Sequence, residues 1–385
     1  MQKELVAAIG KLFLCDFIIL QCESCCTCFF GQMVRLFNGE LSYKSNRKGE
    51  ETMKYKTLGR TGVLVSELCY GTMTFGSETN EQEAGRIFKL CRESGVNFFD
   101  CANNYSNGQA EEILGSLISD CRDEVVITSK VSQRVGADVN AIGSSRRHIM
   151  LSVEKSLSRL KTDRIDLYFI HHFDPFTPMD ETLRALDDLV RQGKVLYLGV
   201  SNWAAWQVAK ALGVSEKHSL ARFECIQPMY NLVKRQAEVE LLPMAASEQV
   251  AVIPFNPLGA GLLSGKYTTN SAPIAGRITE KDQYAKRYSS PAYYEIAQRF
   301  VDYAAAVGVH PVTLAVSWVK SHPAVTSPII GARSVEQLEA SLAAADYDVS
   351  PSMRDEISRL SIHPGSATDR MEEELDEKYI LRNRS

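Results

Sequence analysis

Asp100 and Tyr105 stand five residues apart, directly after the short apolar run Val96-Asn97-Phe98-Phe99. The run has the length of a buried parallel strand. An acid at its end, followed by a phenol, puts two titratable groups at one strand's C-terminal mouth. Such residues near strand ends are most often structural, so the pair gains weight only from what the other apolar runs carry. Those runs end in Ser129-Lys130, His171-His172, Ser201-Asn202 and Gln227, then in Phe255-Asn256-Pro257 and Gly331-Ala332-Arg333-Ser334. Lysine, histidine and aspartate at three successive strand ends are not needed by a purely structural barrel.

These residue types divide the labour of one reaction. A phenol has an ordinary pKa near 10, and a nearby cation that lowers it makes it a better proton donor at neutral pH. Lys130 is the candidate cation, and Asp100 on the adjacent strand is its counter-charge. A neutral His171 orients a carbonyl by hydrogen bonding. The set fits protonation of a carbonyl oxygen while hydride arrives from elsewhere. Side chains do not deliver hydride, so a nicotinamide is implied.

Apolar strand-like runs alternate with amphipathic helical ones along most of the chain. Strands are expected over 68–72, 96–101, 125–131, 165–171, 195–201, 223–228, 250–254 and 327–331. Helices are expected over 81–94, 110–119, 146–160, 179–192, 204–212, 237–248, 293–306, 311–321 and 335–345. Two short strands, 55–58 and 63–66, form a hairpin around Gly59-Arg60-Thr61-Gly62. Eight β/α alternations predict one parallel (β/α)8 barrel, with chemistry at the strands' C-terminal ends. A doubly wound sheet usually carries a glycine-rich fingerprint after its first strand. Cys69-Tyr70-Gly71-Thr72-Met73 has none, and Gly259-Ala260-Gly261-Leu262-Leu263-Ser264-Gly265 comes late with the wrong spacing.

The chain has 385 residues, 45% hydrophobic and 23% charged, with a formal net charge of −4. With a pI near 6.0, nothing favours a nucleic-acid or anionic-membrane surface. Of ten cysteines, Cys69, Cys91, Cys101, Cys121 and Cys225 are isolated in apolar or helical patterns. They read as reduced thiols of a cytoplasmic protein. The others crowd residues 1–52, a stretch unlike the rest. Its apolar run around Asp16 is shorter than the ~20 residues of a membrane span. It has no clean cleavage site for a secretory signal. Cys25-Cys26-Thr27-Cys28 lacks a second ligand pair, so no metal site is expected. From Ser42 to Thr52 the chain reads as a polar linker. Residues 1–52 are therefore expected to be a dispensable extension, with organelle targeting as the alternative. Residues 53–350 form the barrel, and 351–385 pack on it or trail from it.

The chain from about Met53 to about residue 345, about three quarters of its length, resembles the aldo-keto reductase superfamily. The resemblance lies in Lys56-Thr57-Leu58-Gly59-Arg60-Thr61-Gly62, Asn97-Phe98-Phe99-Asp100, Tyr105 with Glu111-Glu112-Ile113-Leu114-Gly115, and Ser129-Lys130. It continues through Ile165-Asp166-Leu167-Tyr168-Phe169-Ile170-His171, Gly199-Val200-Ser201-Asn202 and Gln227-Pro228-Met229-Tyr230-Asn231. It ends with Pro257-Leu258-Gly259-Ala260-Gly261 and Ile330-Gly331-Ala332-Arg333.

The resemblance implies a (β/α)8 barrel that binds NADPH without a Rossmann fold. It implies reduction of a small-molecule aldehyde or ketone by Tyr105, Lys130, Asp100 and His171. Gly71, Thr72 and Met73 would line the cofactor. Ser201, Asn202 and Gln227 would contact its carboxamide, with Phe255 near the ring. Asn256 would contact the cofactor, and the segment from Leu258 through Gly261 to Lys266 would cover the diphosphate. Gly331, Arg333 and Gln337 would hold the adenosine side. A guanidinium recognises phosphate bidentately, so Arg333 favours NADP over NAD. The helix starting after the last strand would add backbone amides.

Two positions depart from the family pattern. Cys101 stands where threonine is frequent, and His172 where tryptophan or arginine is. Some barrels of this kind resemble potassium channel β-subunits. A cofactor-binding regulatory subunit with little turnover is therefore the alternative to a reductase.

Overall fold

A computed structural model describes residues 53–267 and 276–369, together with the backbone of two earlier strands. The Cys25–Cys28 cluster, residues 268–275 and the acidic tail from Met371 lie outside the described residues. The two early strands, β1 (Gln32–Arg35) and β2 (Leu41–Lys44), pair antiparallel. They extend a small sheet containing β3 (Tyr55–Thr57) and β4 (Leu64–Ser66), with Leu41 paired to Tyr55. The stretch expected to be linker from Ser42 thus begins inside a strand.

Eight parallel strands make the barrel: β5 (Cys69–Gly71), β6 (Phe98–Asp100), β7 (Val126–Val131), β8 (Ile165–Ile170), β9 (Val195–Ser201), β10 (Phe223–Gln227), β11 (Ala251–Val252) and β12 (Ile329–Ile330). Their order is β11-β10-β9-β8-β7-β6-β5-β12. The ring closes where the Ile329 amide donates to the Pro254 carbonyl at 2.9 Å and the Thr326 amide to the Val252 carbonyl at 2.9 Å. Every strand lies within its expected range, trimmed by a few residues at most.

Strand periodicity sorts the side chains into two cores. Cys69, Phe98, Leu167, Phe169, Cys225, Ala251, Ile253 and Ile329 fill the barrel. Their neighbours Tyr70, Phe99, Ile127, Tyr168, Ile170, Leu198 and Val200 face the helices. Leu58 and Val65 of the hairpin join the inner core. Gly59 is left-handed (φ +56°), and a Cβ there would lie 2.8 Å from the Glu224 carbonyl. The hairpin therefore seals the end of the barrel opposite the strands' C-termini. Gly199 faces inward, and a Cβ on it would collide with the Phe169 ring.

Helix boundaries differ from expectation in two places. The helix after β9 spans Ala205–His218, six residues beyond the expected end at Leu212 and through Gly213. Val214 packs on the outer core and Ser215 is buried, which outweighs the glycine's ~1 kcal/mol helix cost. The helix expected over 237–248 is a short 3-10 turn, Gln236–Glu238, followed by Leu241–Ser247. Pro243 is the reason: its ring fits a first helical turn but would clash with a carbonyl four residues back in a longer helix. Near the C-terminus, helix Pro351–Arg359 docks against the barrel. Arg354 donates to the Tyr230 hydroxyl at 2.8 Å and stacks over Trp318 at 4.7 Å. Among the described residues no single helix is long and apolar enough to cross a membrane.

Candidate active site

Alternation along β6 and β7 decides what reaches the mouth. Phe98 and Asp100 point into the barrel, while Phe99 and Cys101 point to the helices. On β7, Ile127 and Val131 face outward, so Thr128 and Lys130 share the inner face. On β8, Phe169 is inward and Ile170 outward, which puts His171 inward in turn. The register of His171 is fixed by its amide, which donates to the Val131 carbonyl at 2.8 Å.

The four expected catalytic residues meet. The Lys130 ammonium donates to both Asp100 oxygens at 2.7 and 2.6 Å, to the Cys101 carbonyl at 2.8 Å and to the Tyr105 hydroxyl at 3.2 Å. The pair is fully enclosed, with side chains 0% and 3% exposed. Asp100 Oδ1 also accepts from Thr128 Oγ1 at 2.8 Å and from Gln227 Nε2 at 2.9 Å. The His171 ring stands edge-on to Tyr105, centroids 6.0 Å apart, and stacks on His172 at 5.3 Å.

Tyr105 sits on a turn of unusual backbone. Ser106, Asn107 and Gly108 all have positive φ, at 48°, 56° and 98°. Successive left-handed residues cost free energy and persist only where neighbours enforce them. Here Ser106 Oγ donates to the Phe75 carbonyl at 2.6 Å, and Asn104 Nδ2 donates to Gln133 Oε1 at 2.5 Å.

Electrostatics correct one expectation. Burial pushes the Tyr105 hydroxyl up to about 12, and Lys130 opposes that rise without overcoming it. The phenol is thus firmly protonated at neutral pH. For Lys130, burial acts downward, but Asp100 and then Tyr105 outweigh it and hold the ammonium above its ordinary range. Burial, followed by Lys130 and His172, holds His171 well below the usual imidazole range, so it is neutral. Cys101 is buried on the outer face, and its thiol is pushed up to about 12 by burial and then by Glu111. A thiol so protonated and enclosed is a poor target for oxidation. Cys69, Cys91 and Cys225 are also buried free thiols, and Cys121 is half-buried.

The expected cofactor residues fall into two groups. One lines the mouth. Thr72 Oγ1 donates to the Asp100 carbonyl at 2.9 Å, flanked by half-buried Gly71 and Met73. Ser201 Oγ donates to the Gln227 carbonyl at 2.9 Å. Asn202, in the left-handed region, donates to the His171 carbonyl at 3.0 Å. Phe255 packs on the inner core. Asn256 Oδ1 accepts from the Ala260 amide at 2.6 Å, shaping the turn through Leu258.

The second group is cationic. Gly261 has φ +91°, and a Cβ there would lie 3.0 Å from Lys266 Nζ, so the glycine makes room for the lysine to fold back. Burial, then Arg333 and Arg277, depress the Lys266 ammonium. Arg333, beside exposed Gly331, pairs with Glu280 at 3.2 Å and Glu78 at 3.4 Å, and its amide donates to Gln337 Oε1 at 3.2 Å. Three convergent cations, one of them depressed, form a donor set suited to phosphate groups.

Sequence reasoning missed three contributors. Thr128 was legible, because it lies two residues before Lys130 and shares its face. Buried Glu111 stood inside a matched motif without an evident partner. Arg277 follows an irregular polar stretch that offers no local signal.

The chain belongs to the Aldo/keto reductase family, whose model matches residues 67–362. That match takes in helix Pro351–Arg359, beyond the expected limit near 345. Among curated relatives is an uncharacterized oxidoreductase, YrpG, of Bacillus subtilis (strain 168), 35% identical over 82% of this chain and 98% of its own. A probable voltage-gated potassium channel subunit beta of Oryza sativa subsp. japonica is 36% identical over 76% of this chain and 92% of its own. A putative aryl-alcohol dehydrogenase of Schizosaccharomyces pombe is 33% identical over 77% and 92%. Fold and relatives together make this an oxidoreductase of that family.

Buried imidazoles predict the acid limb of stability. Burial, the first cause in each case, lowers His171 and His148 and brings His322 to about 4. The unfolded chain takes up these protons near pH 6.5 and the folded protein does not. This contribution is complete above the imidazole range and is lost as pH falls through it. The thermal midpoint should therefore drop between about pH 7 and about pH 5.5. A flat or rising midpoint over that window contradicts the assignment of neutral histidines.

Proposed function

We propose that this protein is an NADPH-dependent reductase of aldehydes or ketones in which Tyr105 donates the proton. The observation that carries the reading is the enclosed Lys130 ammonium, bound to Asp100 at 2.6 Å and to the Tyr105 hydroxyl at 3.2 Å. The donor set fits the cofactor: cations Lys266, Arg277 and Arg333 suit its phosphates, and the polar side chains of Ser201, Asn202 and Gln227 suit its carboxamide. The cofactor, when bound, supplies the hydride.

The remaining work belongs to this chain. Neutral His171 orients the carbonyl oxygen toward the Tyr105 hydroxyl. The phenol gives up its proton as negative charge develops on that oxygen. Its pKa, raised by burial, keeps the proton in place until then. The phenolate that results is stabilised by the ammonium already beside it. Asp100 holds that ammonium in position and charged. Arg333 favours NADPH over NADH. Its carboxylate pairs are partly exposed and worth about 1 kcal/mol or less each, so a phosphate displaces them at small cost.

The relatives with potassium channel β-subunit names support a second reading, a cofactor-binding regulatory subunit. The complete Asp100, Tyr105, Lys130 and His171 set favours turnover. A panel of aromatic and aliphatic aldehydes and ketones, read by NADPH consumption, separates the two. Tight NADPH binding without turnover on any of them leaves the regulatory reading.

Within that assay, Tyr105→Phe is expected to retain NADPH binding and lose at least about a hundredfold in rate, the lower range for general acid catalysis. Unchanged turnover rules out the assignment. Arg333→Ala is expected to weaken NADP binding more than NAD binding, measured by fluorescence titration. Equal weakening argues against 2′-phosphate recognition.

A further inference from the structure

Glu111 is a fully buried carboxylate beside the candidate site that the chemistry above does not use. It lies in helix Gln109–Leu117, which begins immediately after the strained turn of Tyr105. Its side chain is fully enclosed, and its two oxygens are spent in different directions. Oε1 accepts a hydrogen bond from Ser129 Oγ, the residue before Lys130 on β7. Oε2 accepts from Arg159 Nε at 2.7 Å and pairs with Arg159 Nη2 at 2.6 Å.

Arg159 closes the arrangement from below. It lies in the last turn of the helix Arg146–Leu160, and its side chain passes beside the Tyr105 turn at Gly108. A Cβ on Gly108 would lie 2.9 Å from Arg159 Cδ and 3.0 Å from its Nε. Gly115, one helical turn past Glu111, lets the two helices touch: a Cβ there would lie 2.6 Å from the Arg159 carbonyl. The left-handed φ of +98° at Gly108 is thus imposed where an arginine must pass.

We propose that Glu111 is a positioning residue. Through Ser129 on one oxygen and Arg159 on the other, it keys the turn carrying Tyr105 to the strand carrying Lys130. An outward-facing residue on β7 and the helix that follows the Tyr105 turn share one buried carboxylate. Sliding either element moves Tyr105 relative to Lys130 and disturbs that contact. The charge matters as well as the shape, because the fully enclosed Glu111 carboxylate has the half-buried Arg159 guanidinium as its counter-charge. The inference rests on the reading of Tyr105 as proton donor.

The test compares Ser129→Ala, Ser129→Thr, Glu111→Gln and Tyr105→Phe in the full chain, with NADPH and an aromatic aldehyde that wild type reduces. Ser129→Ala removes one hydroxyl and no charge, so it decides the matter if Glu111→Gln fails to fold. Ser129→Ala is expected to lower kcat about tenfold, because small misplacements of catalytic groups are costly. Its KM for aldehyde and NADPH should stay near wild type, and the pH dependence of its kcat should shift. Ser129→Thr, which restores the hydroxyl, should recover most of the rate. A merely structural role lowers the thermal midpoint without moving kcat or its pH profile. Wild-type kcat and pH profile in Ser129→Ala, alongside lost turnover in Tyr105→Phe, overturn this inference alone. Unchanged turnover in Tyr105→Phe overturns the reading of the acid, and this inference with it.

Discussion

An ammonium with no exposure to solvent cannot stand alone, and the structure is arranged around that fact. Lys130 on β7 and Asp100 on β6 form an ion pair enclosed on all sides. Removing one partner from such a pair typically costs about 3–5 kcal/mol. The pair persists because both partners make further hydrogen bonds. Asp100 accepts from Thr128 and Gln227 as well as from Lys130. Lys130 spends its third direction on the Cys101 carbonyl and the Tyr105 hydroxyl. Strands β6, β7 and β10 must therefore end at one height, which a closed parallel barrel enforces.

The same enclosure sets the character of the proposed acid. Half-buried at the mouth, the Tyr105 phenol is harder to ionise, not easier, even with Lys130 beside it. In the proposed reaction, the ammonium's contribution is then to receive the phenolate once it forms, rather than to loosen the proton beforehand. In the outer layer, Ser106 of this turn of three left-handed residues donates to the Phe75 carbonyl, and Arg159, paired with Glu111, lies beside Gly108.

Much of this was legible in the sequence because strands alternate. Period two places Asp100, Lys130 and His171 inward once the flanking apolar residues are known to be core. The same rule sends Cys101 outward, which accounts for the one unusual residue between the acid and the phenol. It fills the strand–helix layer and leaves its carbonyl to Lys130. What was not legible depended on long-range approach. The meeting of Glu111 with Arg159 spans 48 positions. That of Arg277 with Lys266 and Arg333 joins an irregular segment to a distant helix start. The net rise at Tyr105 was missed because the sequence shows a nearby cation but not the depth of burial.

The central claim is that the buried Lys130 charge supports proton transfer from Tyr105. Single-turnover hydride transfer in Lys130→Met, with NADPH bound and the fold checked by circular dichroism, tests it most directly. The account predicts that NADPH still binds and that transfer to an aldehyde slows by at least about a hundredfold. Transfer at the wild-type rate in the folded variant would contradict it.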